Sequence, residues 1–568
     1  MGTTKFATSK RCASPSAGVP VVSWYTDGAM MRIRLATFVA LILIPSAAFG
    51  SAYSASPKLV VILVIDQFRG DYLDRYHDEF GPSGFRAFTD RGAYFPACYY
   101  DYANTRTAPG HATIATGTYT SGHGILANEW WVPSSKKVLS SVDDESTKLL
   151  GIEGDAMGAS PHNLLADTLG DELRLATHGN SRVFGIALKD RAAILTTGFS
   201  ANGAYWIDHA SGAWVTSTYY VNEAPRWVTN FNSQKHAQKY LNQEWKDANG
   251  EVLASTAPHD DAGGKPIDYY ELVGRTPYAN DYQIEFAREL IQQEKLGQGT
   301  VTDLLVLSLS ANDLVGHAYG PDSPQIHAMA LALDRQIGEF LAFLQQQYGN
   351  KFWVVLTSDH GVAPTNATAV SLRIPSVVTP NKDIKAELNK ALGARLHKPG
   401  DYVRSVSFPI VYVNNEAFGD KISEGDAEGS VADAMRTMGF VNAYTKEQLA
   451  SGEVAPTPVG RMYANSYSPY GGWWVMGFPP PFSLSTKEFA EHGVAYSYDQ
   501  HIPLAFYGPA FKTGVYRDQV EPTALAPTLA VLLGINRPTN STGHVLTQAL
   551  ATRSEVPAPP PPAPRPRP

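Results

Sequence analysis

Lys58-Leu-Val-Val-Ile-Leu-Val-Ile65 is an unbroken aliphatic run that stops at Asp66. A segment without a polar face has no side to give to water, so it reads as a parallel strand covered on both faces. The pattern recurs at Arg182-Val-Phe-Gly-Ile-Ala-Leu188, Leu304-Leu-Val-Leu-Ser-Leu309, Phe352-Trp-Val-Val-Leu-Thr357 and His501-Ile-Pro-Leu-Ala-Phe-Tyr507. Helical spacing appears between these runs. Ser323-Pro324 supplies an N-cap and a first helical residue, and Ile326, Ala330, Leu333, Ile337, Leu341 and Leu344 mark the inner face that follows. Leu165, Leu169 and Leu173 predict a second helix with one buried stripe, and residues 85–91 a short third. Leu525 to Leu533 predicts another, stopped by Gly534. Strands alternating with helices predict an α/β fold, a doubly wound and mostly parallel sheet with helices on both faces.

The chain has 568 residues, too many for one ordinary core, so either two domains or one large α/β core with insertions is expected. Two stretches lack long aliphatic runs, at about 200–280 and 365–490, and read as irregular insertions capping the core. Within the second, Pro469-Tyr-Gly-Gly-Trp-Trp-Val-Met476 suggests a hairpin. The catalytic domain then spans 56–550, and a Pro-rich tail at 551–568 reads as disordered. A net charge of −8 gives no hint of a nucleic-acid-binding surface.

Met31-Arg-Ile-Arg, the apolar run Leu35 to Phe49 and the small residues after it have the layout of a secretory signal peptide over 31–55. The run is too short to span a bilayer and contains Pro45, so no stable membrane anchor is expected. The mature chain would be periplasmic or secreted. Residues 1–30 fit no signal and read as an upstream extension. Of the two cysteines, Cys12 precedes the signal, so a mature chain keeps only Cys98 and cannot form an internal disulfide.

In an open α/β sheet, ligands bind outside the carboxyl ends of the strands. Asp66 follows the first run. Asp313 and His317 follow the run at 304–309, Asp359 and His360 the run at 352–357, and His501 opens the last strand. Taken singly, an aspartate after a strand is often a turn former and a histidine often structural. Together, three carboxylates and three imidazoles at strand ends suit zinc, and two ions about 4 Å apart suit phosphoryl chemistry. Thr107-Ala-Pro-Gly-His111 leads into a small-residue run. Its Pro is well tolerated in a first helical turn, whose N–H groups favour an anion. Thr107 reads either as a hydroxyl facing the metals from just before the helix or simply as its N-cap.

In these segments the chain resembles the alkaline phosphatase superfamily, most closely the PafA-like and PhoK-like bacterial alkaline phosphatases with a threonine nucleophile. The resemblance runs from Lys58 to Leu546. It is carried by Val64-Ile-Asp-Gln67, Thr107-Ala-Pro-Gly-His111, Ala127-Asn-Glu-Trp-Trp131, Leu188-Lys-Asp-Arg191, Asp313-Leu-Val-Gly-His317, Asp359-His-Gly361 and Tyr498-Asp-Gln-His501. It implies two Zn2+ per chain, one held by Asp313, His317 and His501, the other by Asp66, Asp359, His360 and the Thr107 oxygen. It leaves room for an additional Ca2+. Asn128, Lys189 and Arg191 match the residues that contact phosphate, and His111 is left as structural. The resemblance implies that Thr107 is the nucleophile and that phosphate monoesters are cleaved through a phosphothreonine. Partners would be small-molecule monoesters, with no nucleic acid, and the chain a monomer.

Lys189 and Arg191 have the i, i+2 spacing that puts two side chains on one face of an extended segment; with Asp190 between them, a solvated charge cluster is the alternative. If the pair grips phosphate, it favours a dianionic monoester over a diester. The nearest rival is a phosphodiesterase or nucleotide pyrophosphatase on the same fold, followed by a phosphonate hydrolase. A sulfatase is disfavoured, because Cys98 is followed by Tyr99-Tyr100 rather than by that family's Cys-x-Pro-x-Arg. A metal- or phosphate-binding protein without turnover is the alternative outside enzymes.

Overall fold

A computed structural model describes residues 56–551, apart from 262, 375–377 and 486–488. The expected upstream extension, the expected signal peptide at 31–55 and nearly all of the Pro-rich tail lie outside the described residues.

Five parallel strands form the middle of the sheet, in the order Phe352–Thr357, Leu59–Ile65, Asp303–Leu309, Val183–Ala187 and Gly203–Ile207. The first aliphatic run pairs on both sides, Leu59 with Asp303 and with Phe352. Its alternation divides the core. Leu59, Val61, Leu63 and Ile65 pack on one face with Ile326, Leu333, Ile337 and Leu344 of the helix Pro324–Tyr348. Val60, Ile62 and Val64 pack on the other with Leu169, Leu173, Leu525 and Leu529. A strand with period two and no polar face requires this double cover. The Ser323 hydroxyl caps the long helix by accepting the Ile326 N–H at 3.2 Å, and Gly534 ends Leu525–Leu533 in the left-handed region at φ 69°.

Beyond the parallel core, His501–Tyr507 runs antiparallel to Phe352–Thr357, and Ala93–Tyr99 runs antiparallel to it in turn. Ala93–Tyr99 therefore ends at the same edge as the parallel strands, and His501 begins there. The sheet reaches eleven strands among the described residues.

Four local expectations are corrected. The helix near 165 starts at Leu169, with Thr168 as its cap, so Leu165 precedes it and is half exposed. The stretch 200–280 is partly core. Gly203–Ile207 and Trp214–Ser217 are strands of the main sheet, and the buried Trp214 stacks on Phe286 at 4.0 Å. These strands fill the core with aromatic rings, so a search for aliphatic runs misses them. The stretch 365–490 contains an ordered lobe, a four-stranded antiparallel sheet in the order Val403–Ser407, Ile410–Val413, Trp474–Phe478, Asn442–Thr445. Ile384, Leu388 and Leu392 of one helix and Val431 and Met435 of another pack in a separate core with Val411 and Val475 of that sheet. Trp474–Phe478 is an inner strand of this lobe, pairing Met476 with Ile410 and with Tyr444, and not an arm of a local hairpin.

Candidate metal centre

Asp66 leaves the first strand fully buried. The next residue, Gln67, takes the left-handed backbone at φ 62°, a conformation that costs a non-glycine residue about 1 kcal/mol or more. It is held there by use: its N–H donates to Asp359 Oδ1 at 3.1 Å, and its amide donates to Asp313 Oδ1 at 2.7 Å. One residue thus ties three strand ends together.

Two groups of side chains that could each hold a metal ion result, Asp66 with Asp359 and His360, and Asp313 with His317 and His492. His360 Nε2 lies 3.5 Å from Asp66 Oδ1 and 3.4 Å from Asp359 Oδ2. His317 Nε2 lies 3.2 Å and His492 Nε2 3.8 Å from Asp313 Oδ1. The imidazoles are oriented alike. Nδ1 of His360, His317 and His492 meets the backbone oxygen of Gly361, Ala490 and Thr105 at 2.9, 2.8 and 2.7 Å. A carbonyl only accepts, so Nδ1 carries the proton and the Nε2 lone pair faces the carboxylates.

Lone pairs aimed at carboxylates repel unless a cation stands between them. Asp66 Oδ1, Asp359 Oδ2 and His360 Nε2 are buried with no hydrogen-bond partner, three orphaned atoms facing one another. Burial, and then the charges of Asp313 and Asp359, push the Asp66 carboxyl well above the usual carboxylate range. Burial also acts on Asp359 and Asp313, but His360 and His111 hold the former below its ordinary value, and Lys189 and His317 the latter. Burial lowers the pKa of His360 and of His492. Three aspartates against one ammonium, with imidazoles between, form a donor set suited to divalent cations.

Lys189 supplies that ammonium. Its Nζ lies 2.6 Å from Asp66 Oδ2, 2.6 Å from Asp313 Oδ2 and 3.4 Å from Thr107 Oγ1. Burial would lower its pKa, but the two aspartates outweigh this and keep it charged. Thr107 is the first residue of the helix Thr107–Thr116, with Arg106 at the cap position, so the threonine is neither before the helix nor its N-cap. The helix sits close on the centre: a Cβ on Gly110 would lie 2.2 Å from the Asp359 carbonyl oxygen. His111 braces it: Nδ1 meets the Thr107 carbonyl at 2.8 Å and passes 3.2 Å from Asp359 Oδ2 without a hydrogen bond to it, and Nε2 meets Ser308 Oγ at 2.8 Å. Asn128 Oδ1 accepts the Ala108 N–H at 2.9 Å, in the first turn of that helix.

The Lys189/Arg191 pair is not extended. Lys189 caps the helix Asp190–Thr197, so Arg191 lies in its first turn, 3.6 Å from Asp190, with a buried Nε that has no partner. Tyr270, unnoticed in the sequence, is buried nearby. Burial raises its hydroxyl to about 12 against the pull of Lys189 and Arg191.

His501 is the main correction. It opens its strand at the expected edge, but its Nε2 meets the Pro96 carbonyl at 2.7 Å and its ring stacks on Tyr99 at 4.5 Å. That nitrogen carries a proton and offers no lone pair. His492 stands in its place. It lies on a loop, Glu491-His-Gly493, where no aliphatic run points to it. The His-Gly pair, like His360-Gly361, was the only signal, with Gly493 in the left-handed region at φ 111°.

Residues 60–451 match the model of the type I phosphodiesterase / nucleotide pyrophosphatase family. A protein of Myroides odoratus named calcium-transporting ATPase is 33 % identical over 520 residues, 87 % of this chain and 95 % of that one. The alkaline phosphatase PafA of Elizabethkingia meningoseptica is 30 % identical, over 87 % of this chain and 94 % of its own. The crystal structure of wild-type alkaline phosphatase PafA superposes with a TM-score of 0.79 at 29 % identity, covering 87 % of this chain and 99 % of that one. The α/β sheet and its helices are thus shared with PafA. A family match over most of the chain, and relatives this similar along nearly their whole length, lead to one conclusion: this chain belongs to the type I phosphodiesterase / nucleotide pyrophosphatase family, within the alkaline phosphatase superfamily.

Proposed function

We propose that the chain is an exported, zinc-dependent alkaline phosphatase that hydrolyses small phosphate monoesters with Thr107 as nucleophile. The observation that carries this reading is the set of orphaned atoms on Asp66, Asp359 and His360, beside an ammonium that meets the other Asp66 oxygen and reaches the Thr107 hydroxyl. Asp66, Asp359 and His360 would hold one Zn2+, together with the Thr107 oxygen, and Asp313, His317 and His492 the other. Bound zinc would supply Lewis acidity, making an alkoxide accessible near neutral pH and offsetting charge on the leaving oxygen.

The chain's own residues do the rest. The first helical turn presents Thr107 at the dipole end that favours an anion. Its Oγ1 forms a bond to phosphorus as the ester bond breaks in line, giving a phosphothreonine that water then hydrolyses. The Lys189 ammonium balances phosphoryl charge beside this oxygen, and the Asn128 N–H2 is left to donate to a non-bridging oxygen. Arg191 is the remaining cation for a dianionic phosphate, which favours monoesters. The relatives named alkaline phosphatases support this substrate class. The signal-like segment starting at Met31 supports a periplasmic or secreted location, and we take the working form as a monomer.

The family description favours one alternative, a phosphodiesterase. Metal analysis of the purified mature chain, with rates on an aryl phosphate and on its methyl diester before and after chelation, tests both readings. The proposal expects two zinc ions, chelator-sensitive turnover and a faster monoester. A faster diester would favour the alternative. Turnover without metal would remove both.

A further inference from the structure

Asp499 takes no part in either ligand group, yet it touches the supports of both. Its side chain is fully buried. Oδ2 accepts the Gly493 N–H at 2.9 Å and the Val494 N–H at 3.0 Å, the two residues after His492, and the Thr105 hydroxyl at 3.4 Å. Thr105 is also the residue whose carbonyl takes His492 Nδ1, and its hydroxyl reaches the Val494 carbonyl at 3.2 Å. The carboxylate therefore closes a ring: Asp499 to the 493–494 backbone, to His492, to Thr105 and back. On its main-chain side, the Asp499 carbonyl accepts the Gly361 N–H at 2.7 Å, next to His360. The His492 ring stacks on His360 at 3.6 Å, so the loop held by Asp499 also lies against the group of Asp66, Asp359 and His360.

This loop needs an anchor. His492 belongs to no helix or strand, and Gly493 bends at a positive φ. A loop histidine keeps a fixed ring only where its backbone is tied. Oδ1 of Asp499 is buried without a partner, a cost that a purely packing residue would not carry.

We propose that Asp499 is a positioning residue that sets His492 for metal binding, acting through the Gly493 and Val494 N–H groups and Thr105. The inference rests on the reading of Asp313, His317 and His492 as a metal group, and concerns binding rather than turnover. Because the Gly361 contact is made by the backbone, and His492 meets His360 by ring stacking alone, replacing the side chain acts mainly on the group that His492 belongs to.

The test is cobalt(II) titration of the metal-stripped chain, followed by its visible absorption, with thermal unfolding of each variant alongside. Wild type is expected to show two binding steps. Asp499→Ala should weaken one of them about 10–100-fold, the step that His492→Ala also weakens, and leave the other within about threefold. Asp499→Asn keeps an acceptor oxygen and should recover most of the loss, and it serves as the folded comparison should the alanine variant not fold. Asparagine as weak as alanine, equal weakening of both steps, or no weakening would each overturn the role of Asp499. A wild type with no cobalt steps would overturn the metal reading beneath it. Two steps without phosphomonoesterase activity would overturn the proposed function alone.

Discussion

The two ligand groups are built from the same residue types but anchored differently. Asp66, Asp359 and His360 are fully buried and come within two or three residues of strand ends. Asp313 and His317 share one helix, but His492 arrives from a loop far along the chain, and His317 is partly exposed. The first group inherits its geometry from the parallel sheet. The second depends on Asp499, Thr105 and the Ala490 carbonyl. A rigid site can thus stand beside one whose last member is mounted on a loop, and their sensitivities to mutation should differ.

The largest expected effect belongs to the sheet-anchored side. Thr107→Ala should lower kcat/KM on an aryl phosphate by roughly 10⁴-fold or more while two metals stay bound, since it removes the attacking atom and no carboxylate or imidazole ligand. Near-normal turnover in that variant would take the hydroxyl out of the mechanism.

Next comes the loop-mounted histidine. His492→Ala should weaken one metal step by about 10³-fold, more than the 10–100-fold typical of a supporting residue. His501→Ala should change it less than about threefold. Equalisation by dialysis against buffered zinc reads both, and the reverse order would restore His501 to the centre.

Smaller and selective is the cationic pair. Lys189→Ala with Arg191→Ala should cost about 10²–10³-fold on a monoester and far less on a methyl diester. Equal losses would mean that neither residue sets selectivity.

The smallest effect lies in the lobe upstream of the His492 loop. Glu428 is buried there, accepting the Trp474 N–H at 3.0 Å and the Glu447 N–H at 3.2 Å, and burial raises its carboxyl to about 8. A folded pKa above the unfolded value favours the native state while the group is protonated. That contribution is complete below about 4.5 and is lost as pH rises through about 8. Glu428→Gln should therefore stabilise the chain more at pH 9 than at pH 5, by about 1–3 kcal/mol in chemical unfolding. An equal change at both pH values would show that the carboxyl titrates normally.

The sheet and most of the centre could be read from the chain because their cause is local. An aliphatic run with no polar face must be covered on both sides, so its end is predictable and so is the polar residue after it. Asp66, Asp359, His360, Asp313 and His317, which the structure gathers into two groups, are legible this way, and Thr107, within reach of Lys189, through its Pro-Gly turn into a helix. The aromatic strands at 203–217 and the lobe around 403–478 were hidden, because strands filled with rings, or as short as Ile410–Val413, leave no run of the length that marks the central sheet.

Local pattern could not choose between His492 and His501. Both lie near the right edge, and one-dimensional position says nothing about which ring nitrogen keeps its lone pair. That choice came from three-dimensional packing: a Pro96 carbonyl and the Tyr99 ring claim His501, while Thr105, Gly493 and Asp499 turn His492 inward. Residue type and periodicity are properties of neighbours along the chain, whereas a ligand's aim depends on hydrogen bonds between segments hundreds of residues apart, and these exist only once the chain has folded.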